Sequence, residues 1–316
     1  KSGTTIDGSL MKPSTWLPVL KHLSDGDLIS GSDLGAMLHV SRAAVWQRIA
    51  YLKALGVQIE ATEQGYQLKY PVYLPDSAVI QNAVSIPVDM MPEVSSTNTL
   101  VLDSRAEQCL ITLYQNEGRG RRGKQWIAAP GHALMLSVGV WIECGVQNLA
   151  GLSVDLGVFL SKSLNKLGVE ARLKWPNDLW IDDRKLAGLL MELYGDQDKA
   201  FVVAGFGLNL WPTSGVDTSI ASIGDVLNRP WDDADTTRLI NGLRQTIQDY
   251  PNRTSADRMV DYDQVSLLNG RNICVTGAQR SVSGVAQGID GFGRLCLLTD
   301  AGAEYLAAGD VSVRPQ

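Results

Sequence analysis

Gly118-Arg119-Gly120-Arg121-Arg122-Gly123-Lys124-Gln125-Trp126 comes soon after the apolar run Cys109-Leu110-Ile111-Thr112-Leu113-Tyr114, and the junction between them separates two fold classes. The run is partly β-branched and predicts a strand. Gly118, Gly120 and Gly123 satisfy G-x-G-x-x-G, the dinucleotide fingerprint of a doubly wound sheet, which needs a helix opening on the glycines. The chain continues instead as Ile127-Ala128-Ala129-Pro130-Gly131, and Pro-Gly predicts a turn. Gly118 to Lys124 also fits G-x-x-x-x-G-K, but Gln125 stands where a P-loop needs Ser or Thr for Mg²⁺.

With both patterns rejected, the stretch reads as a loop with four cations among three glycines between Gly118 and Lys124. Glycines let the backbone turn sharply and present its N–H groups. Arginines supply permanently charged forks that match carboxylate and phosphate oxygens. The bland alternative is a solvated basic loop. Three positions of backbone freedom argue against it, and the composition predicts a mobile, anion-binding loop.

At 316 residues the length predicts two or three domains. The chain is 45% hydrophobic and 20% charged, ordinary for a globular protein. No apolar run is long enough to cross a membrane, and no apolar leader is seen, so a cytoplasmic setting is expected. Cys109, Cys144, Cys274 and Cys296 lack metal or redox spacing. A net charge of −6 means that any DNA binding needs a local patch.

Residues 1–13 read as a disordered lead or a remnant. Residues 14–70 read as three helices and a hairpin. Trp16, Leu17, Val19, Leu20 and Leu23 mark the first helix. Ser32 to Leu38 gives the second, capped by Ser32 or Asp33. Ser41 caps the third, Arg42 to Leu55, and Gly56 ends it. Val57 to Glu60 and Gly65 to Leu68 form the hairpin. This order describes a winged helix-turn-helix whose third helix enters a major groove, with Ser41, Arg42, Gln47 and Arg48 facing DNA. Five basic and five acidic residues balance in this segment. That balance also fits a small protein–protein module. Residues 71–75, bracketed by Pro71 and Pro75, read as a linker.

Residues 76–268 alternate strand-like and helix-like patterns. Ser96-Thr97-Asn98 precedes a helix and reads as its cap, or as a polar ligand contact. Ala133 to Trp141 is a strand, and Leu149 to Leu167 a long helix ended by Gly168. Arg172 to Lys174 leads into a turn, Trp175-Pro176-Asn177-Asp178. Asn177 and Asp178 fit either an Asx-turn or a metal–phosphate contact. Lys185 enters the apolar strand Leu189 to Leu193, which suits a carboxylate or phosphate contact. Asn209 lies late in a buried strand and needs partners. Only His22, His39 and His132 are histidines, so acyl-enzyme and zinc chemistry are disfavoured. Residues 269–316 show short β-runs (272–275, 282–286, 294–298, 311–313) punctuated by glycines, predicting a small SH3-like barrel. The fold class expected is α+β.

Gly118–Trp126, Lys174-Trp175-Pro176-Asn177-Asp178 and Arg184-Lys185-Leu186-Ala187-Gly188 together resemble the signature of biotin–protein ligases. Ser96-Thr97-Asn98, Tyr114-Gln115 and Gly207-Leu208-Asn209 fall at compatible places. The Ser41-Arg42-Ala43-Ala44 helix and the Gly65-Tyr66 wing resemble the DNA-binding domain of the bifunctional subset, which also represses biotin synthesis genes. Lys124 stands where that family often has Arg, and Ile127-Ala128-Ala129 replaces a more polar run.

The resemblance implies ATP-dependent activation of biotin to biotinyl-5′-AMP with Mg²⁺, then transfer to a lysine of the biotin carboxyl carrier protein. It implies catalytic roles for Lys185, Arg119 and Arg121. Ser96, Thr97, Asn98, Gln115, Gly120 and Gly188, with Arg119, Arg121 and Lys185, would hold biotin. Arg121, Arg122, Lys124, Trp126, Lys174, Asn177, Asp178 and Asn209 would hold ATP and the adenylate, with Asp178 towards Mg²⁺. The adenylate would favour a homodimer on operator DNA. Two alternatives are a lipoate–protein ligase, and a ligand-sensing transcription factor without ligase activity.

Overall fold

The computed structural model describes residues 11–215, 220–277, 281–307 and 311–315. Of the lead expected over residues 1–13, residues 1–10 lie outside them. Helix α1 (Pro13–Leu23) starts on Pro13, which takes in the last residue of the supposed lead. Proline suits a first helical position because its missing N–H would have no partner there. α2 (Gly31–Met37) is capped by Ser30 rather than Ser32 or Asp33. Ser30 Oγ accepts from Asp33 N at 3.0 Å and donates to the Asp33 carboxylate at 2.7 Å. Asp33 is thus the third residue of the helix, answering the cap from one turn away.

α3 (Arg42–Ala54) has the expected Ser41 cap, its Oγ accepting from Ala44 N at 3.2 Å. Trp16, Leu20 and Leu23 of α1 meet Val45, Ile49 and Leu52 of α3 in a buried core. β1 (Ile59–Ala61) and β2 (Tyr66–Leu68) close the hairpin, with Ile59 opposite Leu68.

The central unit is built on α4 (Ser77–Ala83), β3 (Val88–Val94), α5 (Thr97–Ser104), β4 (Gln108–Gln115), β5 (Ala133–Ile142), α6 (Leu152–Asn165), β6 (Arg172–Lys174), β7 (Asp178–Ile181), β8 (Arg184–Gly195) and β9 (Ala200–Asn209). The seven strands pair in the order β3-β4-β5-β9-β8-β7-β6. Only β3 and β4 run parallel; the other pairs are antiparallel. β9 is buried along its whole length, which explains its unbroken apolar reading. α6 is shorter than the expected 149–167. A separate turn precedes it, and Gly168, at φ 83°, unwinds its end.

α7 (Asp233–Asp249) and α8 (Ser255–Val265) come next. Arg258 of α8 and Asp155 of α6 form a buried ion pair at 3.1 Å, and Arg258 also donates to Gly291 O at 2.6 Å. This contact ties the last sheet to the centre. That sheet comprises β10 (Asn272–Gly277), β11 (Ser281–Ile289), β12 (Leu295–Thr299), β13 (Gly302–Leu306) and β14 (Val311–Pro315), all antiparallel, in the order β13-β12-β11-β10-β14. β13 has no counterpart among the expected β-runs. It is an edge strand with one buried residue, Leu306, so it carries little hydrophobic signal. The class is α+β.

The helical head sits on the centre through hydrogen bonds and a ring stack. Ser214 N donates to Gly56 O at 3.1 Å, and Gln58 Nε2 to Pro212 O at 3.3 Å. Tyr70 stacks on Trp211 with centroids 5.5 Å apart. The segment read as a linker is also anchored: Tyr73 N donates to Gly131 O at 3.1 Å and its hydroxyl to Asp233 at 2.7 Å. No described helix is long and apolar enough to cross a membrane.

Candidate active site and candidate DNA interface

A cleft of about 760 Å³ opens between the start of α5, the 118–126 loop, the β6–β7 turn and strands β8 and β9. Among the described residues, six cations line it (Arg119, Arg121, Arg122, Lys124, Lys174 and Lys185) against a single carboxylate, Asp178. Such a lining stores repulsion that an anionic ligand relieves.

One end of the cleft is a polar floor. Ser96 occupies the N-cap position of α5, but its side chain makes no cap bond, which corrects the capping reading. Ser96, Thr97 and Asn98 are all buried. Gln115 Oε1 accepts from Thr97 N at 2.8 Å and from its hydroxyl at 3.2 Å. Ser137 Oγ lies 2.8 Å from Thr97 Oγ1 and 2.6 Å from Asn98 Oδ1. Asn98 Nδ2 donates to Leu190 O at 2.9 Å and to Glu192 at 3.0 Å. Gly205 makes this possible. A Cβ there would stand 1.8 Å from Asn98 Oδ1. The floor offers neutral donors and acceptors of fixed orientation, suited to a neutral polar group such as a urea or amide.

The other end is cationic. Lys185 Nζ pairs with Asp178 at 2.8 Å and lies 5.8 Å from the Trp126 ring centre. Gly188 and Gly120 line the same wall. Arg121 donates to Asn177 Oδ1 at 3.1 Å. Burial lowers the Arg121 guanidinium from its ordinary value, and Asp178 opposes that shift. Lys174 is buried, its ammonium 3.6 Å from the Trp180 ring centre. Trp126 folds over Gly207, where a Cβ would sit 2.5 Å from the indole. Its Nε1 is buried with no hydrogen-bond partner among the described residues.

The loop itself is a tight hairpin. Gly120 N donates to Lys124 O at 2.7 Å and Trp126 N to Gly118 O at 2.9 Å. Arg122 sits in the left-handed region at φ 58°. Beyond Trp126 the chain is irregular rather than helical, as Pro130-Gly131 required.

Three predicted residues stand differently from their expected roles. Arg119 is neutralised by Glu192 at 3.0 Å rather than offered as a bare cation. Asn209 does not line the cleft. Its amide donates to Lys185 O at 3.4 Å and Ala221 O at 3.3 Å, so it braces the strand that carries Lys185. Asn177 spends its amide on Leu189 O at 2.6 Å and its oxygen on Arg121. Residues missed by sequence reasoning are Ser137, Thr99, Trp180 and Glu192. Ser137 and Glu192 interrupt apolar strands, and that interruption was the available signal.

In the head, Ser41, Arg42, Trp46 and Gln47 are exposed on one face of α3, and Arg48 is half-buried at its edge. The Ser41 hydroxyl is engaged as the cap. Trp46 is 56% exposed and was not anticipated. α3 carries Arg42, Arg48 and Lys53 and no acid.

A family model described as Biotin/lipoate A/B protein ligase family matches residues 91–209. Others described as HTH domain and as Biotin protein ligase C terminal domain match 17–67 and 269–314. The chain is 32% identical to the bifunctional ligase/repressor BirA of Salmonella typhimurium, over 94% of this chain and 97% of that protein. The protein of the same name from Escherichia coli gives the same identity and the same coverage. A biotin–[acetyl-CoA-carboxylase] ligase of Mycobacterium tuberculosis is 34% identical over 71% of this chain and 88% of its own length. The fold is similar to that of a biotin protein ligase from Aquifex aeolicus in complex with biotin and ATP, with a TM-score of 0.63 at 20% identity, covering 73% of this chain and 99% of that one. Fold and cleft define an α/β ligase-type catalytic unit joined to a helix-turn-helix head. The chain belongs to the biotin protein ligase family.

Proposed function

We propose that this chain joins biotin to a lysine of a biotin carboxyl carrier protein in two steps and represses biotin synthesis genes through its head. The observation that carries the enzymatic half is the cleft's asymmetry: among the described residues, a neutral hydrogen-bonding floor faces five cations besides the Glu192-paired Arg119, and one acid.

In the first step a biotin carboxylate oxygen attacks the α-phosphorus of ATP. The acyl–phosphate anhydride forms and pyrophosphate leaves. In the second the carrier's lysine amine attacks the acyl carbon and AMP leaves. Ser96, Thr97, Asn98 and Gln115, with the main chain at Gly120 and Gly188, hold the biotin head. Lys185 and Arg121 stabilise the charge that develops between carboxylate and phosphate, a contribution that preorganised cations make at low cost in a half-dry cleft. Arg122, Lys124 and Lys174 face the phosphates, and Trp126 the adenine. Asp178, the one carboxylate among the described residues that line the cleft, would hold Mg²⁺, and one carboxylate plus substrate phosphates is a common Mg²⁺ arrangement. When bound, Mg²⁺ supplies further positive charge at the phosphates. Asn177, on the cleft wall, holds Arg121 in place, and Asn209 acts from behind the surface.

The divisions 14–70, 71–75, 76–268 and 269–316 separate DNA head, connector, catalytic unit and terminal sheet. The setting is cytoplasmic, and the adenylate favours a homodimer that presents two heads to operator DNA. Incubation with biotin, ATP, Mg²⁺ and the carrier domain tests the enzyme: biotinylated carrier with AMP and pyrophosphate is expected. An acceptor labelled by lipoate and not biotin would reverse the reading.

For the head, Trp46 offers an apolar surface beside Gln47 and Arg42, suited to a thymine methyl in the major groove. Trp46→Ala is expected to weaken binding to the operator of the biotin genes about tenfold, ~1.4 kcal/mol, with ligation unchanged. Equal gel-shift affinity would remove Trp46 from the DNA surface.

A further inference from the structure

We propose that Glu192 is a positioning residue that latches the glycine loop to the floor of the cleft, holding Arg119 and Asn98 with one carboxylate. Glu192 lies on β8 two residues beyond Leu190 and does not line the cleft. Its Oε1 meets Arg119 Nη2 at 3.0 Å, and its Oε2 accepts from Arg119 Nη1 at 3.2 Å. This is a fork-on-carboxylate pair. The same Oε2 accepts from Asn98 Nδ2 at 3.0 Å. Arg119 Nη1 also donates to Thr99 Oγ1, at 3.3 Å, in the first turn of α5.

These contacts fix both the floor and the loop. Asn98 has both amide protons engaged, by Leu190 O and Glu192, while its oxygen accepts from Ser137. The amide therefore cannot flip, and the face it shows the ligand is fixed. Arg119 pairs across the loop's neck with Gln125. Anchoring its guanidinium to β8 and α5 holds the near limb of the hairpin in place. An isolated surface pair contributes little to stability. This pair differs because it is two-pronged, its carboxylate side chain is only 20% exposed, and a third group shares it.

The hold on the loop is independent of the ligand's identity; the effect on affinity rests on the biotin reading above. Hydrogen–deuterium exchange on the full chain without ligand tests the first. Glu192→Ala should raise exchange across residues 118–126 several-fold, leaving β9 protected as the folding control. Arg119→Met should do the same, and the double variant should be no worse than either single change. Unchanged loop exchange in Glu192→Ala would overturn the latch, as would additive effects. For the second, Glu192→Ala should raise the KM for biotin about tenfold with kcat within about threefold. Glu192→Gln keeps an acceptor for Asn98 but not the charge for Arg119. It should restore most of the KM while the loop still exchanges fast. An unaltered biotin KM in Glu192→Ala would remove Glu192 from the floor. Absence of ligation by the unaltered chain would count against the biotin reading alone, since the exchange measurement needs no substrate.

Discussion

Lys185→Ala is expected to slow adenylate formation about 100- to 1000-fold, the loss typical when one preorganised charge is taken from a developing anion. The residue is held from three sides. Asp178 meets its ammonium at 2.8 Å, Ala221 N donates to its carbonyl at 2.9 Å, and Asn209 braces that same carbonyl at 3.4 Å. Its side chain is 34% exposed, so the charge reaches the cleft while its backbone is fixed. Removing it has two effects in the same direction. The cation proposed to face the α-phosphate is lost, and Asp178, the only carboxylate among the described residues that line the cleft, is left without its lysine and repels ATP. Pyrophosphate release after mixing with biotin and ATP reads the effect. A loss below about fivefold would place Lys185 outside the chemistry.

Gly205→Ala should cripple the opposite end. The new methyl group would lie 1.8 Å from Asn98 Oδ1, a distance no side chain tolerates. β9 is buried and paired on both sides at Gly205, with Ser137 opposite on β5 and Leu190 on β8, so the strand cannot retreat. Asn98 must move instead, and its bonds to Ser137, Leu190 and Glu192 are lost together. At about 1 kcal/mol for each buried hydrogen bond, the loss is ~3 kcal/mol. The biotin KM should rise on the order of 100-fold, with the melting temperature several degrees lower. Initial rates against biotin concentration check it; a KM within about threefold of the parent would contradict the assignment of the floor.

Much of this site was legible in the chain because its parts are local. Ser41 announces α3 by its cap chemistry, and the Pro130-Gly131 turn excludes a dinucleotide helix through backbone chemistry alone. The cationic loop, the Lys174–Asp178 turn and Lys185 each read as anion contacts from residue type. Pairing across long separations escaped. Composition cannot tell which loop cation finds an acid, and Arg119 finds Glu192 from 73 residues away. Glu192 interrupts the apolar run Leu189–Leu193, but nothing near it in the chain points to Arg119. Asn209 was recognised as needing partners, but those partners, the carbonyls of Lys185 and Ala221, exist only once β8 and the 220–221 segment lie side by side. Ser96 stands at a cap position and does no capping. β13 stayed hidden because an edge strand with one buried residue has almost no apolar period.

The central claim is that the cationic cleft closes over an activated acid joined to AMP and keeps water from it. The most direct measurement omits the carrier. The chain is mixed with biotin, ATP and Mg²⁺, passed rapidly through a gel-filtration column, and the protein fraction is acid-quenched for mass spectrometry. Biotinyl-AMP is expected to travel with the protein in near-stoichiometric amount, with pyrophosphate left behind in the small-molecule fraction. ADP and phosphate as products, or an adenylate found only free in solution, would contradict the claim.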